Sequence, residues 1–299
     1  MQKNFREHFI KFTEMIRNDI HFGFARYSDG ELYILQNKEL VLDKGLIQIG
    51  DKKEGGVYQP ADFKHYDPKV HGESYNRLIE AYKHRQPNYY KGISCKCCVG
   101  KEAFDFQIDL HGGDDESLSW ANLWVNGNYP QFVFQTLPIL YSKDCVFVGH
   151  ESADTSKLPF IKKDFRVGYN AFINDYDKIE IIRQWIKENN ITNHVFLFSA
   201  STFTNLAVYE LFRDFPNNSY IDIGTCLTPM MNMPTHRGYL EAFWGYRGGG
   251  WQKGNGLRID HFLTTANVTD LVNNVAVNRE PRGWEKASDH TPVTITLEN

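Results

Sequence analysis

The chain has no run approaching the roughly 18 consecutive apolar residues that a membrane-crossing helix needs, so no membrane span is expected. It also lacks an excess of basic charge: 33 Lys and Arg stand against 37 Asp and Glu, for a net charge of −4. Affinity for a phosphate backbone comes from concentrated Lys and Arg, so nucleic acid is not an expected partner. No apolar signal core opens the sequence, and the five cysteines are few and odd in number. That usage fits a reduced, cytoplasmic chain better than a disulfide framework. Cys95, Cys97 and Cys98 crowd together, but not at zinc-ribbon spacing, and no useful His or Cys pair follows. Their expected place is a buried strand end.

What is present is a globular composition, with 41% hydrophobic and 23% charged residues in 299, enough for one large domain or two smaller ones. The 16 Tyr, 21 Phe and 6 Trp suit carbohydrate or base stacking, or simply a thick core. Phe5, Phe9, Phe12, Ile16 and Ile20 recur at helical spacing, with Lys3, Arg6, Glu7 and Lys11 between them, and predict an amphipathic helix. A short apolar strand then runs through Arg26 into Ser28-Asp29-Gly30-Glu31, and Leu32-Tyr33-Ile34-Leu35 suits a helix. Asp29 and Glu31 at such a turn offer two hard oxygen ligands facing one way, for a divalent cation or a sugar's hydroxyls. The alternative is that Asp-Gly is turn punctuation.

Residues 37–66 are polar and glycine-dotted and read as loops with one short strand. Residues 68–84 read as a helix with Pro68 in its first turn, followed by a strand near 90–95 and a helix opening near Lys101. The run from His111 to Glu116 reads as a solvated loop, with a metal site as the weaker alternative. Between Trp120 and Pro130, Asn122, Asn126 and Asn128 lie among large aromatics, and amides that both donate and accept suit a polar neutral ligand.

The middle of the chain alternates strand and helix. Cys145–Val148, Phe165–Val167, His194–Phe198 and Ser219–Gly224 read as strands, and Tyr176–Glu188 and Leu206–Arg213 as helices, which predicts an α/β fold with a largely parallel sheet. Ligands of such sheets bind beyond the carboxyl ends of the strands, often at helix N-termini that favour phosphate. Those positions hold Gly149, His150 and Glu151, then Ser199, Ser201 and Asn205, then Asp222. They are candidates for a nucleotide diphosphate, or else helix caps.

The segment Ala25–Glu31, with Asn122–Tyr129, Asn170-Ala171-Phe172, Ile221–Gly224 and Arg237-Gly238-Tyr239, resembles the GT-D type glycosyltransferases over residues 4–240. The resemblance implies a Rossmann-like domain at 1–242. Its activity would be moving a hexose, commonly glucose, from a uridine-diphosphate sugar to a glycan acceptor. It places Asp29 and Glu31 at the donor and a divalent metal, Mn²⁺ or Mg²⁺, and adds Asn170 to the donor-binding set. Tyr27-Ser28 departs from the family's aromatic-glycine pair. Arg26 is expected either to meet the diphosphate or to lock Glu31. His150, Glu151 and Asp222 are the candidate bases for the acceptor hydroxyl.

The texture changes near Phe243. Arg258-Ile259-Asp260-His261 and Glu285-Lys286-Ala287-Ser288-Asp289-His290-Thr291-Pro292-Val293 resemble the C-terminal end of the exonuclease III family. By that resemblance Asp260, Asp289 and His290 would be active-site residues of a metal-dependent phosphodiesterase. No counterpart of that family's first half precedes them, so a β-rich fragment over 243–299 without nuclease activity is expected. A DNA phosphodiesterase and a sugar-nucleotide binder without turnover stand as alternatives, and the sequence leaves a homo-oligomer open.

Overall fold

A computed structural model describes residues 4–43, 46–55, 63–233, 272–277 and 293–297. The chain divides into two units, Met1–His236 and Arg237–Asn299. The first opens with helix Phe5–Arg17, capped by the Asn4 side chain, which accepts from the Arg6 amide. The helix stops at Asn18 because Asp19 turns left-handed (φ 54°), and this leaves Ile20 exposed beyond the predicted apolar stripe.

Next come β1 (Gly23–Tyr27) and helix Asp29–Leu35, then β2 (Leu40–Asp43), β3 (Leu46–Ile49), β4 (Lys52–Gly55) and β5 (Lys64–Tyr66). Helices Gly72–Lys83 and Lys96–His111 flank β6 (Tyr89–Ile93), and β7 (Leu118–Trp120) follows. Then come β8 (Cys145–His150), β9 (Ile161–Val167), helix Lys178–Glu188, β10 (Val195–Ser199), helix Phe203–Asp214 and β11 (Ser219–Asp222). The second unit contributes β12 (Val272–Val277) and β13 (Val293–Leu297), an antiparallel pair.

Seven strands form one sheet in the order β7-β6-β1-β11-β10-β8-β9, every pair parallel. The α/β class with a Rossmann-like parallel sheet flanked by helices is therefore as expected. Helices cover both faces, and strands β6 and β8, each next to an edge strand, are buried at every position, which is why β8 reads as a continuous apolar run. On one face Phe12 packs edge-on against Phe24 and Tyr90 and tilted against Phe22, with centroids 4.9–5.3 Å apart. On the other, Tyr27 meets Tyr82 at 4.7 Å.

Some expectations are corrected. Residues 37–66 hold a four-stranded antiparallel sheet, β4-β3-β2-β5, built from strands too short to show clear alternation. The helix expected from Pro68 begins at Gly72, with His71 as its cap. The helix expected near Lys101 begins at Lys96 and is interrupted at Gly100. His111 is buried, and its ring lies 3.1 Å from the Lys91 ammonium and 3.2 Å from Asp115, so the acidic run is anchored to the core rather than wholly solvated. Cys97 and Cys98 are exposed at the start of a helix, not buried at a strand end. No helix of the described residues is long and apolar enough to cross a membrane.

Candidate functional site

Because the seven strands are parallel, their carboxyl ends lie along one edge of the sheet. From β8 the chain continues to β9, and from β10 to β11, in opposite directions across the sheet. Strand tips diverge at such a reversal and leave a crevice. A cleft lies there, lined by His150, Ser199, Ser201, Thr202, Asn170 and Lys64 among others.

Behind Lys64 and Thr202 of that lining, Glu31 is buried. It completes a capping box with Ser28, whose amide and hydroxyl both donate to Oε2 at 3.2 and 2.8 Å. Its other oxygen accepts from Thr202 Oγ1 (2.7 Å) and from Lys64 Nζ (2.5 Å). Burial would raise its pKa, but the Lys64 ammonium and the two hydroxyls outweigh this and hold the carboxylate down at about 2. Gly30 makes the contact geometrically feasible: a Cβ there would stand 2.6 Å from Lys64 Nζ.

Asp29, one position into the helix, is exposed, so the two acids do not face one way. This donor set does not fit a divalent cation. Both oxygens of Glu31 already accept protein hydrogens, and an ammonium stands where a metal would.

Of the two partners expected for Arg26, Glu31 is not the one it meets among the described residues, and the carboxylate beside it is Asp222. Its Nη1 lies 3.6 Å from Asp222 Oδ1, and its Nε donates to the Ala121 carbonyl at 2.5 Å. Asp222 also accepts from the Arg26 and Gly224 amides. Burial raises Asp222 to about 6, with Arg26 and the Gly224 amide pulling the other way and the charge of Glu31 adding to the rise. Gly224 has φ +52°, and a Cβ there would fall 1.9 Å from Arg26 Nη1, so both conformation and space require glycine.

His150 is 4% exposed at the tip of β8. The Ser152 amide donates to its Nδ1 at 3.2 Å, and the Ser152 hydroxyl lies 2.7 Å from the same nitrogen. An acceptor at Nδ1 places the hydrogen of the neutral ring on Nε2. Burial lowers its pKa below 6.5 against the pull of Glu151, so the ring is neutral at pH 7. Nε2 is buried with no hydrogen-bond partner. His150 thus lines the cleft with its Nε2 hydrogen buried and unpartnered, and is not a base through that atom.

The other predicted residues divide. Ser199 and Ser201 line the cleft beside the N-terminus of helix Phe203–Asp214. Asn170 lines it as well, but its amide is engaged with β5: Oδ1 accepts from the His65 amide (3.1 Å) and Nδ2 donates to the His65 carbonyl (3.0 Å), beside Lys64. Asn205 Nδ2 donates to the Arg26 carbonyl at 2.7 Å, inside the core. Gly149 is buried, and a Cβ there would meet the Phe147 ring at 2.4 Å, a packing role; Glu151 is exposed.

Asn122, Asn126 and Asn128 lie outside the cleft lining, and the Asn128 amide donates to the Asn122 carbonyl at 3.0 Å. Asp260, Asp289 and His290 lie outside the described residues. Sequence reasoning missed Lys64, hidden in the stretch read as loops. It also missed Thr202, although the hydroxyl-rich run 199–205 contained the signal.

No family model matches this chain, and no curated protein matches it. Among solved structures it is similar to a selenomethionine-substituted structure of domain of unknown function 1792 (DUF1792). The TM-score is 0.50 and the identity 12%, over 78% of this chain and 87% of that one. A second structure, described as that domain having a distinct glycosyltransferase fold, aligns at TM-score 0.49 and 13% identity over the same shares. At such identity the likeness concerns architecture, and the chain shares the α/β fold of the DUF1792 domain.

Proposed function

We propose that the cleft binds a nucleoside-diphosphate sugar and that the chain is a glycosyltransferase moving the hexose to a hydroxyl of a glycan acceptor. The observation that carries this reading is the meeting of three kinds of anion-favouring donor at one strand-tip crevice. These are the Lys64 ammonium, the unpartnered Nε2–H of His150, and the N-terminus of helix Phe203–Asp214 with Ser199 and Ser201 beside it. Fixed donors of this kind stabilise the charge that develops on a leaving diphosphate. An ammonium has three hydrogens, and the bond to Glu31 uses one of them. Glu31 and Thr202 then position Lys64, and Asn170 fixes the strand that carries it. Counter-charge is assigned to Lys64 and not to a divalent ion, because the lysine already occupies the carboxylate.

Thermal melting of the whole chain in EDTA, with uridine-diphosphate glucose, uridine or glucose added, tests the reading. A rise in melting temperature with the nucleotide sugar alone is expected, since a ligand specific to the folded state stabilises it by mass action. Sugar transfer or slow donor hydrolysis should accompany it. No shift with any nucleoside-diphosphate sugar would sink the proposal, and a shift that appears only with Mn²⁺ or Mg²⁺ would overturn the role given to Lys64.

A further inference from the structure

Away from the cleft lining, one helical turn brings three sulfurs together. Cys95 is the cap of helix Lys96–His111 and has extended backbone angles (φ −77°, ψ 155°). A cap side chain leans over the second and third helical positions, and here those are Cys97 and Cys98. The Cys98 and Val99 amides donate to the Cys95 carbonyl at 3.0 and 3.2 Å and close the turn. Gly100 (φ 81°, ψ 171°) breaks the helix immediately afterwards, isolating a four-residue knuckle. All three Sγ atoms lie within 4.8 Å of one another, and those of Cys95 and Cys98 are 3.1 Å apart.

Cysteine used as a small hydrophobe is ordinarily buried, as Cys145 and Cys226 are here, whereas Cys97 and Cys98 are exposed and Cys95 is half-buried. Packing therefore does not account for the trio. The group contains sulfur alone, with no carboxylate or imidazole.

We propose that Cys95, Cys97 and Cys98 form a three-thiolate site for a soft, thiophilic cation of the Zn²⁺, Cd²⁺ or Cu⁺ class. A cation about 2.3 Å from each sulfur sets the sulfurs about 4 Å apart, within the 4.8 Å that bounds all three, with Cys95 and Cys98 parting from their present 3.1 Å, and the exposed side leaves a fourth position to water. Thiolates select such ions, while Mg²⁺ and Ca²⁺ prefer oxygen. Binding exchanges three S–H bonds for three metal–sulfur bonds and releases three protons to solvent. The site caps the end of β6 and is independent of the transferase reading.

The test is titration of the full chain, reduced and stripped by chelator, with Cd²⁺, followed by the ultraviolet sulfur-to-cadmium charge-transfer band and by alkylation. One Cd²⁺ per chain should saturate the band and protect three thiols, and Mg²⁺ should not compete. Cys97→Ser and Cys98→Ser should each weaken binding by more than the roughly 10–100-fold that a lost outer partner costs, with the circular dichroism spectrum unchanged. Cys226→Ala should leave the band intact. Absence of a band in the reduced chain would overturn the proposal, as would a band that survives both serine variants. A Cys95–Cys98 disulfide that forms on oxidation without any cadmium binding to the reduced form would likewise replace it with a redox pair.

Discussion

The ammonium of Lys64 sits 2.5 Å from Oε1 of Glu31, joining a strand of the small antiparallel sheet to the first turn of the helix that leaves β1. Thirty-three residues separate the two positions, and the contact converts an acidic motif into a neutralised one. The Lys64 side chain is 12% exposed and that of Glu31 6%, so water screens the pair little. Any account of the cleft's chemistry begins with a lysine held in place by a carboxylate.

Glu31→Gln and Asp29→Asn should therefore separate cleanly. Removing the Glu31 charge leaves Lys64 buried without its counter-ion, and breaking a buried pair typically costs about 3–5 kcal/mol. Asp29 is exposed, and its neutralisation should stay within about 0.5 kcal/mol. Urea unfolding of the two variants reads the difference, and equal losses would contradict the geometry. Acid gives a second readout, because the Lys64 ammonium and the hydroxyl donors hold Glu31 down from 4.5 to about 2. Its contribution is then fully present above pH 4.5 and lost as pH falls toward 2.

Gly30→Ala tests why the motif carries glycine. In a helix this exchange ordinarily stabilises by about 0.5–1 kcal/mol. Here the added Cβ would stand 2.6 Å from Lys64 Nζ. The lysine must withdraw from Glu31, so we expect loss of stability and weaker nucleotide-sugar binding. A gain in melting temperature would show that Lys64 relocates freely.

His150→Phe keeps a ring against Tyr169, whose centroid lies 4.7 Å away, and deletes the Nε2 donor. A hydrogen bond to a charged group is worth about 1.5–3 kcal/mol, so affinity for a nucleoside-diphosphate sugar should fall by about ten- to a hundredfold. In the native protein affinity should rise as pH drops below the ring's lowered pKa, because the imidazolium adds charge facing the diphosphate, and the variant should lose that dependence. Isothermal titration across pH 5–8 measures both.

Lys91, wholly buried in β6, donates to the His84 carbonyl at 2.6 Å, and burial lowers its pKa from 10.5 to about 7, with Asp115 opposing and Arg85 adding to the fall. Between those values the unfolded chain holds a proton that the folded chain lacks, so stability should rise with pH across that interval. Lys91→Met should flatten the rise. Chemical denaturation at pH 7 and pH 9.5 checks it, and an equal slope in the variant would refute the assignment.

Much of the large sheet was legible in the residues alone. The runs at Val146–Val148 and Val195–Phe198 are almost wholly buried, and such burial demands unbroken apolar sequence, which marks them as strands, while their alternation with helices implies a parallel sheet. The hydroxyl-rich tips after β8 and β10 were legible for the same reason, since they follow the strand ends directly. The small sheet was not, because strands of three and four residues with one wet face carry almost no periodicity. Lys64 was lost with it.

By itself the sequence determined that this chain folds as an α/β domain with small and hydroxyl-bearing residues following the β8 and β10 tips, because burial pattern is a local property of the chain. Only the tertiary structure decided that Glu31 pairs with Lys64, that Arg26 belongs to Asp222, that His150 keeps Nε2 buried without a partner, and that Cys95, Cys97 and Cys98 share one turn. Those pairings depend on side-chain distances between segments remote in sequence, or on the φ and ψ of a single cap residue, and no composition or spacing rule contains them.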